Sequence, residues 1–268
     1  MPFAMIGFFL GLQQQHRSID WTLLLLVILC MIFARTAAMA FNRYADRKID
    51  SLNERTKVRE IPSGVVSPAS AIFLICLSSA AFIICTWFIN PLCFFLSPVA
   101  LAVVLGYSYT KRFTWLCHLV LGIGLSLAPI GAYLAVTGTF NWIPLLFSFT
   151  VITWVSGFDI IYALQDEEFD AKENLYSMPS VFGKKKALII SSCLHIFSVI
   201  FLFMAGYVES FGIFYWSGAV IFSLLLFYQH TLVKADDLRK VNIAFFTTNG
   251  IASLVFAIFV VTELLWKK

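Results

Sequence analysis

The chain has 268 residues, 60% of them hydrophobic and 13% charged, and its mean hydropathy is +0.87. That balance excludes an ordinary soluble globular domain and identifies a polytopic membrane protein. The net charge of +4 does not imply nucleic acid as a partner, because the positive residues collect in short loops between apolar segments.

A helix needs eighteen or more largely apolar residues to cross a hydrocarbon core of about 30 Å. About nine apolar segments follow one another along the chain: Phe3 to Leu12, Trp21 to Phe41, Pro68 to Phe88, Leu92 to Tyr109, Trp115 to Val136, Trp142 to Leu164, Ala187 to Val208, Gly212 to Leu232 and Val241 to Trp266. The first is too short to span alone, so either Gln13 to Gln15 is drawn into its helix or the chain begins inside a longer first segment. A cleaved signal peptide fits poorly, since no basic stretch precedes Phe3 and no small-residue cleavage pattern follows it. No long linker separates the segments, and a single integral domain over residues 1–268 is expected, all-α throughout.

The loops alternate in charge. Those after the second, fourth, sixth and eighth segments carry Arg47, Lys48, Arg55, Lys57 and Arg59; Lys111 and Arg112; Lys172 and Lys184 to Lys186; and Lys234, Arg239 and Lys240. The opposite side holds only Arg17 with Lys267 and Lys268, so the positive-inside rule places the charged side and the N-terminus in the cytoplasm. Cys30, Cys76, Cys85, Cys93, Cys117 and Cys193 are scattered through apolar segments without CxxC spacing and read as small buried hydrophobes. His118 and His195 stand alone within segments, and His16 and His230 near interfaces, so no zinc site is expected.

Charge is densest in NRYADRKIDSLNERTKVREIPSG, Asn42 to Gly64. Asn42, Asp46 and Asp50 recur every fourth residue, so on a helix that continues past Phe41 they stack on one face. Two carboxylates and an amide make a hard-oxygen surface of the kind that holds Mg²⁺ against a substrate's phosphates. Taken alone, these acids could equally pair with Arg43, Arg47 and Lys48 in a solvated loop. A second stretch, GFDIIYALQDEEFDAKENLYSMPSVFG from Gly157 to Gly183, repeats the pattern. Asp166 and Asp170 are four apart, Asp159 lies seven before Asp166, and Tyr162 shares their helical face. Acids at the mouth of a membrane bundle are costly and functional by default. Two matched patches facing one cavity form a clamp for a diphosphate and two Mg²⁺ ions.

The two motifs, Asn42-x3-Asp46-x3-Asp50 and Asp159-x2-Tyr162-x3-Asp166-x3-Asp170, with the YSYTKR stretch at Tyr107 to Arg112 and the VNIAFFTTNG stretch from Val241, resemble the UbiA superfamily of intramembrane aromatic prenyltransferases over essentially the whole chain. The wording GFDIIYALQDEEFD is most similar to the 4-hydroxybenzoate polyprenyltransferase branch, beside a closely similar naphthoate-prenylating branch of menaquinone synthesis. The resemblance implies about nine transmembrane helices around a central cavity and a place in a bacterial inner membrane. It also implies Mg²⁺ as cofactor, with a polyprenyl diphosphate and an aromatic acid as substrates. By the same resemblance Asn42, Asp46, Asp50, Asp166 and Asp170 hold metal, and Arg43, Lys111 and Arg112 meet the diphosphate. Asp159 and Tyr162 lie near the reacting carbon, with Asp159 placed to receive the ring proton. Relatives commonly carry a further stretch, with an aromatic-substrate contact, ahead of the segment that here reads PFAMIGFF.

The chemistry expected of such a site begins with loss of diphosphate from an allylic donor. The allyl cation left behind must not meet water, and burial in the bilayer excludes it. Tyr107, Tyr109 and Tyr162 are candidates for lining the substrate cavity and facing that cation. The Arg59 to Gly64 segment resembles the family's cap over the cavity, and Pro62 and Gly64 mark turns there. Gly122, Gly124, Pro129 and Gly131 point to close packing or a kink. Asn242 and Asn249 fit an interhelical hydrogen bond as well as a substrate contact. Lys184 to Lys186 read as an anionic-lipid anchor, and membrane lipids are partners. Arg35, two turns before Asn42, requires a cavity or a carboxylate partner. A transporter would instead call for an internal repeat with interrupted segments; the acidic motifs at the second and sixth segments hint at pseudo-symmetry, but both are ligand-dense and face the cytoplasm, without the midplane acid of a proton relay.

Overall fold

The computed structural model describes residues 1–266; Lys267 and Lys268, counted above on the sparsely charged side, lie outside the described residues. In chain order the helices are α1 (Pro2–Gln14), α2 (Trp21–Leu52), α3 (Pro68–Ile89), α4 (Pro91–Thr110), α5 (Cys117–Thr137), α6 (Trp142–Ala163), the short α7 (Glu167–Lys172) and α8 (Met178–Phe182), then α9 (Lys184–Val208), α10 (Ile213–Leu232) and α11 (Asn249–Trp266). The expected apolar segments all appear. Eight helical segments among the described residues are long and apolar enough to cross a membrane. The exception is α1, which draws in Gln13 and Gln14 yet reaches only about 20 Å at 1.5 Å per residue.

Local chemistry sets where helices begin. Asp20 caps α2 by accepting from the backbone N–H groups of Thr22 and Leu23, both at 3.0 Å, and Ser67 caps α3 through Ser70 N–H. Asn90 caps α4 through Cys93 N–H at 2.8 Å and turns its amide to the carbonyl of Leu134 at 2.9 Å, tying the start of α4 to the end of α5. Pro2, Pro68 and Pro91 stand in the first turns of α1, α3 and α4, where a missing N–H costs nothing. Gly138 ends α5 in the left-handed region at φ 67°, returning its N–H to Leu134 O at 2.9 Å, a conformation a side chain would strain.

Neighbours in sequence pack as neighbours in space from α2 through α6, then α6 on α9, α9 on α10 and α10 on α11, while α1 bridges α11 and α5. The main core lies between α1, α5, α6, α9, α10 and α11 and is built on Phe147, Tyr215, Phe222 and Phe256, all fully buried. On the other side Phe73, Trp87 and Phe95 are 68%, 64% and 74% exposed, a greasy surface that water would not tolerate and lipid does. α1 is not lipid-facing: Ile6, Phe8 and Leu10 are fully buried. Gly7 makes that approach possible, because a Cβ there would stand 2.0 Å from Pro129 O. Within α5 only part of the small-residue series serves close packing. A Cβ on Gly122 would meet Ile152 O and Ser156 Oγ at 2.6 Å, whereas Gly131 has open space around it.

The four charged loops gather at one end of the bundle. Arg55 reaches Asp166, Tyr176 N–H donates to Lys111 O at 2.7 Å, Lys184 pairs with Glu167 at 3.2 Å, and Val233 and Val241 join a second core with Ile161 and Leu164. At the opposite end Gln14 accepts from Tyr133 OH at 2.6 Å and from Asn141 at 3.3 Å.

The ninth segment is not one regular helix. Ile243–Thr248 forms a π-helical turn ahead of α11. Asn249 explains it: its amide donates to the carbonyls of Ala244 and Phe245 at 3.1 and 2.9 Å, and its oxygen accepts from Trp154 Nε1 at 3.0 Å. The interhelical bond is therefore the observed role of Asn249. Asn249→Ala is expected to leave the buried Trp154 N–H unpaired and cost about 1–3 kcal/mol, read as a lowered Tm in detergent.

Candidate active site

The α2 stripe forms as the four-residue spacing requires. The helix runs on to Leu52, and Asn42 Nδ2 donates to Asp46 Oδ2 one turn along at 3.0 Å. The second motif is bent. α6 stops at Ala163, a 3₁₀ turn covers Leu164–Asp166, and α7 starts afresh at Glu167. Asp159, Tyr162 and Asp166 line one cavity with Asn42, Asp46 and Asp50; it measures about 250 Å³, small for a ligand site. Asp170 is fully buried beside it and meets it through Lys111.

Four of the five aspartates in the two motifs carry a lysine or arginine cation, and Asp159 alone does not. Arg112 Nη2 lies 3.2 Å from Asp46 Oδ1, Arg59 Nη1 2.7 Å from Asp50 Oδ1, and Lys111 Nζ 2.7 Å from Asp170 Oδ1. Arg55 grips Asp166 with Nε at 2.9 Å and with Nη2, and gives Nη1 to Tyr162 OH at 2.8 Å. Asn53 adds a bond to Asp166 Oδ1 at 3.1 Å. Burial, the largest single influence on the Arg55 guanidinium, would lower its pKa, but the bonds to Asp166 and Tyr162 outweigh it and hold it above the ordinary value.

Loop residues Asn53, Arg55, Thr56 and Arg59 thus line the cavity, in keeping with a cap. Asp50 lines the cavity and its Oδ2 is buried without a hydrogen-bond partner, whereas the fully buried Asp170 has Lys111 Nζ 2.7 Å from Oδ1. The Asp50 oxygen is open to a hard cation. No group of three His, Cys, Asp or Glu side chains is drawn together into a ready-made metal cage among the described residues. The donor chemistry suits Mg²⁺, which takes one or two carboxylates and keeps its waters and phosphate ligands.

The other expected site residues divide. Tyr107, Lys111 and Arg112 line the cavity. Arg43 is not among the lining residues and pairs with Glu60 of the cap at 3.4 Å. Tyr109 is also absent from the lining; it is 41% exposed and carries the Arg112 guanidinium 4.9 Å above its ring. Tyr162 stacks on Phe245 of the π turn, ring centroids 4.1 Å apart, so one face is already covered. Sequence reasoning missed Asn53 and Arg55 as site residues, having counted Arg55 only as loop charge, and it placed Arg59 in the cap segment without naming its partner. It also missed His118, whose Nδ1 lies 2.7 Å from Asp159 Oδ2. The available signal was the cost of a histidine in an apolar segment at the depth of an acid.

Residues 1–251 match the family model described as the UbiA prenyltransferase family. A 4-hydroxybenzoate octaprenyltransferase of Vesicomyosocius okutanii is 33% identical over 242 residues, covering 88% of this chain and 86% of its own length. That of Aliivibrio fischeri strain ES114 is 29% identical over 245 residues, covering 88% and 83%. Among solved structures, an apo UbiA homologue from Aeropyrum pernix K1 superposes with a TM-score of 0.86 at 26% identity, covering 99% of this chain and 97% of its own. A homologue from Archaeoglobus fulgidus, described as bound to DMAPP and Mg²⁺, shares the fold at a TM-score of 0.70 and 19% identity, covering 98% and 95%.

Proposed function

The chain belongs to the UbiA prenyltransferase family, and from that premise we propose that it transfers a polyprenyl group from a polyprenyl diphosphate to the ring of 4-hydroxybenzoate, in quinone biosynthesis. The observation that carries this reading is the convergence of both aspartate patches on one cavity that also holds Arg55, Arg59, Lys111 and Arg112. Four cations beside four carboxylates suit a ligand that brings its own negative charge and its own metal. The names of the octaprenyltransferase relatives support the acceptor and the long donor. A cavity of about 250 Å³ has room for no more than the polar head of such a donor, so its tail would lie outside, among the apolar helices.

Asn42, Asp46, Asp50, Asp166 and Asp170 would hold Mg²⁺, which when bound neutralises charge on the departing diphosphate. Lys111, Arg112, Arg55 and Arg59 turn from the aspartates to the diphosphate oxygens. The allylic C–O bond breaks and its electron pair leaves with the diphosphate. The ring carbon ortho to the acceptor hydroxyl supplies the pair for the new C–C bond, and the proton displaced there goes to Asp159. Phe245 and Tyr162 wall the reacting end, and the cap excludes water. Arg35 stands on the same face of α2 as Asn42, seven residues earlier; it is exposed and is not among the residues lining the cavity. The charged end of the bundle faces the cytoplasm.

Arg55→Ala is expected to lower turnover about 10- to 100-fold by removing charged hydrogen bonds worth about 1.5–3 kcal/mol, with KM for the diphosphate raised and KM for the acid little changed. Initial rates with each substrate varied in turn check this. The reading as a whole is tested on native membranes with Mg²⁺, a polyprenyl diphosphate, and either 4-hydroxybenzoate or a dihydroxynaphthoate. Prenylated 4-hydroxybenzoate that disappears with EDTA supports it. Product with the naphthoate alone moves the enzyme to menaquinone synthesis, and no product from folded protein with either acid overturns it.

A further inference from the structure

His118 is the one histidine lining the cavity among the described residues, and it is 3% exposed. Its two ring nitrogens are both engaged. Nε2 lies 3.3 Å from the backbone nitrogen of Met178, a group that can only donate, so Nε2 must accept and carry no proton. The ring proton is therefore on Nδ1, and it points at Asp159 Oδ2, 2.7 Å away. The contact is built in by the backbone as well. Ser156, three residues before Asp159, shares its hydroxyl between Ile152 O at 2.6 Å and the carbonyl of His118 at 3.0 Å. Gly122, one turn after His118, brings α5 against α6 so closely that a Cβ would stand 2.6 Å from both Ile152 O and Ser156 Oγ.

We infer that His118 is a positioning residue for the proton-transfer step: it holds Asp159 by Oδ2 and reserves Oδ1 for the proton displaced from the acceptor ring. The inference rests on the proposed prenyl transfer with Asp159 as base. In that step the C–H bond at the newly prenylated carbon breaks, its electron pair restores the aromatic ring, and the proton binds Asp159 Oδ1. His118 keeps its own proton throughout, because Nε2 is closed by Met178 and has no room for a second. The proton on Oδ1 then passes to water as the product leaves. His118 thereby differs from a shuttle, which would need both nitrogens open.

The test compares His118→Phe, which keeps the ring and loses the donor, with His118→Asn, which keeps an N–H close to the position of Nδ1. Each folded variant is assayed for kcat, for KM of both substrates, and for the deuterium isotope effect with an acceptor deuterated ortho to its hydroxyl. In the native protein the isotope effect is expected to be about 1, since proton loss follows the committed C–C step. His118→Phe is expected to lower kcat at least about tenfold, leave both KM values within about twofold, and raise the isotope effect clearly above 1, because a poorly aimed base makes proton loss limiting. His118→Asn is expected to recover most of both changes. A folded His118→Phe with native kcat and no isotope effect overturns the inference, as does a loss of rate with no isotope effect that His118→Asn fails to restore. If His118→Phe does not fold, the isotope effect and kcat of His118→Asn against Asp159→Asn decide: a native-like His118→Asn beside a slow Asp159→Asn supports it, and any other pairing overturns it. Failure of the proposed function is separate, since it appears as absent transfer by the native protein.

Discussion

Asp166→Ala is expected to lower prenyl transfer about 10²- to 10³-fold, the scale of losing one preorganised group that acts on charge developing in a transition state. Asp166 joins the two halves of the site. Its Oδ1 accepts from Asn53 at 3.1 Å and from Arg55 Nε at 2.9 Å, so this carboxylate, with Tyr162 OH on Arg55 Nη1, fastens the segment that follows α2 to the end of α6. Alanine removes a proposed metal ligand and leaves the half-buried Arg55 guanidinium without its counter-charge. Asp166→Asn is expected to keep the cap closed better than alanine yet remain nearly as slow, because the amide cannot supply charge to Mg²⁺. Steady-state rates of both variants, beside Arg55→Ala, check this. Loss of the fastening alone gives the smaller Arg55→Ala effect, and loss of the ligand gives the larger one.

Gly122→Val is expected to damage fold and activity together. The added side chain collides with backbone, Ile152 O, as well as with Ser156 Oγ, both at 2.6 Å, and backbone within a packed helix pair cannot move aside cheaply. Overpacking of this kind costs about 1–3 kcal/mol and sometimes more. Forcing α5 from α6 also breaks the Ser156 bond to His118 O and draws His118 away from Asp159. A lowered Tm and turnover reduced about 10²-fold or more, the scale of a positioned base, are the expected readouts. Gly131→Ala in the same helix is the control with the opposite sign. It meets nothing within 4 Å, and trading glycine for alanine in a helix stabilises by about 0.5–1 kcal/mol.

What the sequence made legible follows the range of the interactions. Asn42, Asp46 and Asp50 lie on one helix, so their spacing alone places them on one face, and they stand there. The second motif crosses the end of α6, where face arithmetic fails. The 3₁₀ turn at Leu164–Asp166 leaves Asp166 in the cavity and turns Asp170 beside it, reached through Lys111. Arg55 and Asp166 are 111 residues apart and His118 and Asp159 are 41 apart, and no local pattern encodes which distant partner a charged group will take. For α1, an apolar segment on every side reads the same whether lipid or protein surrounds it. Its Gly7-x3-Gly11 spacing was the available sign of a close helix contact, and Gly7 meets Pro129 O and Gly11 meets Val136 in that way.

If the α2 and α6–α7 acids act as one Mg²⁺-dependent diphosphate clamp, as proposed, calorimetric titration of the folded protein with an unreactive allylic thiolodiphosphate, with and without Mg²⁺, will register it. One saturable event that requires Mg²⁺, and that is lost in Asp46→Ala and in Asp166→Ala separately, is the expected result. Binding that persists without Mg²⁺, or that survives removal of either acid, would contradict it.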